Sequence, residues 1–183
     1  MAFFDPEKDR WPPVYDETQL AETIKDAASR PVKQFYEAEP SDRLPCQGDI
    51  ISLSAEIPLL NERGEPFVEG EADTWLVVAN TCDLARTVDE NPWAPIVPVK
   101  QWTDVRPEEE NAIKTYKVSR VFYLPPWTPD IGFSVADLTR FVTIHRAALT
   151  SVATLRARLR YPSWILLNAC LVRYLTRNDG RHT

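Results

Sequence analysis

Prolines punctuate this chain so densely that long regular elements have little room between them: sixteen Pro stand against five Gly in 183 residues. A proline fixes φ and lacks the amide donor that helix interiors and central ladders use. That density favours short strands with stiffened connections over a helical bundle. Six Trp, six Tyr and seven Phe supply bulky anchors for a core, which argues against disorder along the whole chain. A chain of this length fits one domain with an appended arm and buries roughly 70% of its unfolded surface.

The sequence contains no run of about 18 apolar residues, so no membrane-spanning helix is expected. The opening MAFFDPEKDR lacks the basic and apolar regions of a signal peptide. Cys46, Cys82 and Cys170 are odd in number and include no C-x-x-C pair. That pattern suits free thiols in a reducing cytoplasm, where the chain is expected to reside.

Charge divides the chain unevenly. Residues 138–183 hold eight arginines, no lysine and one acid, Asp179, while the other acids all precede them. One reading is that the basic end docks on an acidic body. The other is a basic surface for nucleic acid, in which Arg grips phosphate with its planar fork.

Residues 1–45 read as a Pro-rich acidic arm with one short helix. Asp16 and Gln19 form a capping arrangement, Leu20, Ile24 and Ala27/Ala28 recur at helical spacing, and Pro31 ends the helix near Ser29. The arm wraps the body or holds a protein partner. Residues 46–183 read as the main domain. GDIISLSAEIPLL predicts one long strand or a bent pair, NERG at 61–64 a turn, and Pro66–Val68 a short return. Trp75–Ala79 predicts a strand buried on both faces and central in the sheet. Pro95–Val99 predicts an edge strand, because its prolines cannot donate. A short helix is expected over 106–114, strands over Tyr116–Leu124 and Leu138–Ile144, and helices over Ala147–Leu159 and Pro162–Arg177. Trp164, Leu167, Leu171 and Tyr174/Leu175 widen the apolar face of the last helix, which implies deep burial or a homodimer seam. The fold class expected is α+β, mainly β: a small antiparallel Src-homology-3-like barrel with C-terminal helices and an N-terminal arm.

The strand exit Asn80-Thr81-Cys82-Asp83 is the leading candidate site, since a rigid strand can hold polar groups that the following loop exposes. Arg86 or an imidazole would lower the Cys82 pKa, and Cys82 with His145 is the one reasonable Cys/His arrangement, His182 lying in the tail. The alternative is that Cys82 is a small core residue and Asp83 caps the next turn. No metal site and no cofactor are expected, because the scattered Cys and His lack ligand spacing and phosphate-binding glycine motifs are missing. Arg156, Arg158 and Arg160, with Tyr161 and Trp164 nearby, are the nucleic-acid candidates.

Gly48-Asp49-Ile50, Leu76–Asn80 (LVVAN), Ile96–Val99 (IVPV) and the segment Leu138–Arg177 occur in the order of the PemK/MazF-type toxin barrel, which the chain resembles over residues 48–177. The chain departs from that family in carrying Thr74-Trp75 where such toxins have Arg-Pro, and Lys100-Gln101 where they have Thr or Ser. The N-T-C-D stretch is also similar to a turn in a group of bacterial and mobile-element proteins. The resemblance implies an RNA-binding or RNA-cleaving protein, an endoribonuclease in the latter case, in a toxin–antitoxin or phage-defence setting. Asp83 and His145 would then act as general acid and base, with Arg86 and Lys100 steadying phosphate charge. The rival reading is a non-catalytic protein-interaction module of the same fold.

Overall fold

The computed structural model describes residues 17–29, 34–39, 45–53, 57–69 and 73–176. Along them run α1 (Glu17–Ala28), β1 (Asp49–Ser52), β2 (Ile57–Leu60), β3 (Pro66–Glu69), β4 (Thr74–Val77), α2 (Thr81–Leu84) and β5 (Trp93–Gln101). There follow α3 (Pro107–Lys114), β6 (Val121–Leu124), β7 (Ser134–Asp137), β8 (Val142–His145), α4 (Ala147–Ser151), β9 (Thr154–Arg158) and α5 (Tyr161–Thr176). The architecture is α+β and mainly antiparallel β. The 7-stranded main sheet has the order β6-β7-β5-β4-β1-β9, with β8 also paired to β5, while β2 and β3 form a separate hairpin. The main sheet curls into a half-barrel accompanied by the C-terminal helix. Among the described residues no helix is long and apolar enough to cross a membrane.

The apolar run Trp75–Ala79 is buried throughout because each face of its strand meets a different core. Leu76 and Val78 join one cluster with Ile50, Val97, α1 and α5. Trp75, Val77 and Ala79 join a second with Ile51, Leu53, Ile96 and Leu149. Strand residues alternate faces, so two cores demand apolar residues at every position. β4 lies between β1 and β5, in the central place expected of it.

β5 overturns the edge-strand expectation: it pairs with β4, β7 and β8. Its prolines fall where a donor is not required. Pro98 lies between the β8 register, which ends at Ile96, and the β7 register, which begins at Val99. Pro95 uses its carbonyl instead, accepting from Val78 and Ala79 just past the end of β4.

Three further expectations are corrected. The strand expected over Tyr116–Leu124 starts only at Val121, because Tyr116 adopts a left-handed φ of 55° and turns the chain. Leu138–Ile144 divides: β7 precedes it, a turn held by Asp137 Oδ1 on Thr139 N occupies its start, and β8 begins at Val142. The helix expected over Ala147–Leu159 stops at Ser151 and gives way to β9. Thr154–Arg158 pairs with β1, so tertiary pairing overrides the local helical pattern.

The remaining elements match the sequence closely. α1, α3 and α5 form where expected, with Pro107 in the first turn of α3; Asp16, Arg177, Gly180 and His182 lie outside the described residues. Leu20 and Ile24 bury the inner face of α1 in the main core. Gly64 closes the 61–64 turn at φ 75°, its amide donating to Asn61 O.

The GDI motif works as a latch. Gly48 has φ 92°, and a Cβ there would stand 3.1 Å from the Leu159 Cβ, so only glycine allows β1 to lie this close to the end of β9. Asp49, the next residue, is buried against Arg158 of β9.

Candidate functional site: a polar cleft at the end of the sheet

One face of the sheet changes character toward its end. Ile50 opposes Leu76 within the core, and one pair further along the same face Ser52 opposes Thr74. Replacing large apolar side chains by these small polar ones opens a cleft. It consists of cavities of about 440 and 500 Å³ that share Asp73, Thr74, Trp127 and Ile131. Lys100 of β5 lines one and Arg156 of β9 the other. The structure thus brings together two of the expected RNA-binding residues that lie far apart in sequence.

The loop joining β6 to β7 forms the opposite wall. Its sequence, PPWTPD at 125–130, is stiffened by three prolines. Tyr36 fixes it from below, donating its hydroxyl to Pro125 O at 2.6 Å and meeting the Trp127 ring edge-on at 6.4 Å. Burial pushes the Tyr36 phenol well above its usual pKa, so it stays a donor. Trp127 is half-buried and presents an aromatic surface to both cavities.

The cleft carries charge of both signs. Arg156 donates from Nε to Ser52 Oγ at 2.7 Å, which orients its guanidinium across β1. Asp130, with Asp73, supplies negative charge, and a hydrogen bond from Thr128 holds the Asp130 carboxyl below its usual pKa. Asp73 lines both cavities, whereas Asp130 lines only the one that Arg156 lines.

Arg158 and Arg160 lie elsewhere. Arg158 is buried and forks onto Asp49, which raises its pKa further through the hydrogen bond. Arg160 is exposed beyond β9, next to a stacked Tyr161–Trp164 pair with ring centroids 5.5 Å apart. Trp164 turns its indole donor inward to Gln47 Oε1 at 2.8 Å. The three arginines do not form one patch, since β9 sends Arg158 into the core.

The Asn80–Asp83 corner is knit into the fold. Asn80 caps α2 by accepting from Cys82 N at 2.9 Å, and Thr81 Oγ1 accepts from Gln47 N at 3.1 Å. Cys82 is exposed, and Asp83 pairs with Arg86 at 3.7 Å on the surface. His145, at the end of β8, accepts from Ala147 N and meets the Trp93 ring edge-on at 5.5 Å. Among the described residues no hydrogen bond or ion pair joins His145 to Cys82, Asp83 or Arg86. A preassembled acid–base pair or thiolate dyad is therefore not formed there.

The residue that organises this corner is Arg146, which the sequence reading passed over. Its buried guanidinium donates to the carbonyls of Leu84, Arg86, Thr87 and Asn91, fastening the whole 84–91 loop. An arginine just after a strand carries no local signal of such a role. Trp127 was also missed, although an aromatic residue set among prolines marks a stiff, exposed platform. Among the described residues no group of three or more His, Cys, Asp or Glu is placed to hold a metal ion. No protein-family model matches the chain, and no curated protein matches it.

Proposed function

We propose that the chain binds single-stranded RNA in the cleft between the sheet end and the Trp127 loop. The observation that carries this reading is the convergence of Lys100, Arg156 and Trp127 on one cleft. Lys100 and Arg156 hold successive phosphates, and Trp127 stacks a base between them. Asp73 and Asp130 limit phosphate attraction and accept hydrogen bonds from base amino groups. A double helix, whose bases are already stacked, is disfavoured.

The setting we propose is that of a PemK/MazF-like toxin or defence protein, supported by the antiparallel half-barrel and its C-terminal helix. Binding rather than cleavage is the activity proposed, because Asp83 and His145 are not joined. The experiment is fluorescence anisotropy with labelled decauridine and with a duplex of the same length. Saturable binding of the single strand alone, weakened by Trp127→Ala and Lys100→Ala, is the expected result. Indifference to both substitutions would overturn the reading.

A second reading rests on the β2–β3 hairpin, which among the described residues pairs with no other strand. Leu60 is 70% exposed and Phe67 41% exposed on it. In that reading the hairpin inserts into a protein partner, and Leu60→Asp abolishes the association while leaving RNA affinity intact.

A further inference from the structure

We propose that the cavity between α1, the turn after α3, and α5 is a binding site for an aliphatic monocarboxylate of the medium-chain fatty-acid type. It measures about 540 Å³, within the range of small-molecule sites, about 300–1,000 Å³. Leu20 and Ile24 line it from one face of α1, and Tyr116 lines it from the turn. Its charged lining residues are Lys25, Lys117 and Arg173, and among the described residues no acid lines it.

Arg173 decides the chemistry. Its Nε and Nη2 are buried and have no hydrogen-bond partner among the described residues. Those two nitrogens form the side of the guanidinium that grips a carboxylate through parallel hydrogen bonds. Neighbouring groups supply no substitute. Burial pushes the Cys170 thiol up to about 12, so it remains neutral one turn away. The Tyr116 hydroxyl is committed to Tyr123 O at 3.1 Å. Arg173 is half-buried, and its two buried donors are unfavourable unless an anion accepts from them. An inorganic anion would satisfy Arg173 and leave the apolar walls wet, whereas a neutral alcohol would cover the walls and leave the donors open. A carboxylate with an aliphatic tail meets both demands, and Lys25 and Lys117 add attraction at the rim.

The test is isothermal titration calorimetry of the full chain with octanoate, 1-octanol and acetate, with circular dichroism confirming that each variant folds. Octanoate is expected to bind at one site per chain, and 1-octanol and acetate at least about tenfold more weakly, the factor that loss of one charge-assisted contact or of the tail produces. Arg173→Gln should weaken octanoate by about tenfold or more, and Lys25→Gln and Lys117→Gln by roughly two- to fivefold each. If Arg173→Gln does not fold, the two exposed lysine variants decide. Failure of octanoate to saturate, equal binding of 1-octanol, or indifference to these substitutions would each overturn the proposal.

Discussion

Arg158 forks onto Asp49 across the β9–β1 ladder, with Nε 2.6 Å from Oδ1 and Nη2 2.9 Å from Oδ2. Both side chains are almost wholly buried, at 6% and 2% exposure. Asp49 Oδ2 also accepts from Cys46 N at 2.9 Å, so the carboxylate fixes the turn into β1 as well as the strand beside it. Removing one partner leaves the other charged and desolvated, which destabilises by about 3–5 kcal/mol. Asp49→Ala is expected to lose that much in urea denaturation, whereas replacing both residues by apolar ones of similar volume should recover much of it. The folded fraction of Arg158→Ala should bind RNA as the parent does, because Arg158 points into the core. A selective loss of RNA affinity at full stability would return Arg158 to the binding surface.

The cleft makes a quantitative prediction about salt. Two phosphate contacts to a single strand give a slope of about −1.4 in log K against log salt concentration, at roughly −0.7 per contact. Lys100→Ala and Arg156→Ala should each halve the slope. Trp127→Ala should leave it unchanged while lowering affinity by about 1–3 kcal/mol, the usual contribution of one stacked base. Anisotropy titrations at several salt concentrations separate these effects. A slope several times steeper would mean that the contact surface extends to other basic residues.

Legibility of the sequence followed the range of the forces involved. Helices with local signals were readable: α1 from Leu20 and Ile24, and α3 from Pro107 and its first-turn acids. β4 was readable because burial on both faces leaves an unbroken apolar run. β5 was readable as a strand but not in its place, and β9 was not readable as a strand, since both placements depend on partners distant in sequence. Pro98 is tolerated only because two partner strands change over beside it, and Arg156–Arg158 is strand only because β1 offers an edge. The cleft was half legible. Lys100 and Arg156 stood out by charge, but nothing local brings them beside Trp127. At the Asn80–Asp83 corner the polar cluster was visible, while the capping role of Asn80 and the anchoring role of Arg146 emerge only in three dimensions.

Arg146 makes the third prediction. Its hydrogen bonds to four carbonyls tie the 84–91 loop to the end of β8, while the Glu90 carboxylate, accepting from Thr87 N and Oγ1, closes the loop only on itself. Lysine keeps the charge but cannot spread donors over four directions. Arg146→Lys is therefore expected to lose about 2–4 kcal/mol, from unsatisfied carbonyls and a misplaced ammonium. Hydrogen exchange should accelerate first in the amides of residues 84–91, with β4 and β1 protected until global unfolding. Uniform acceleration across the sheet would show that Arg146 supports the whole core rather than this loop.

The cysteines make the fourth, through pH and reactivity together. Cys82 is exposed and Cys170 buried, so a thiol reagent should label Cys82 at once and Cys170 only when α5 opens. Burial raises the Cys170 pKa from 9.0 to about 12. Between those values the unfolded chain has lost a proton that the folded chain keeps, so stability falls as pH rises through this interval. Its contribution is fully present below the unfolded value and gone above the folded one. Denaturation midpoints measured from neutral pH upward should decline more steeply for the parent than for Cys170→Ala, which starts lower because of its small cavity but has no thiol to ionise. Parallel declines, or rapid labelling of Cys170 in the native protein at neutral pH, would mean that α5 does not seal that side of the core.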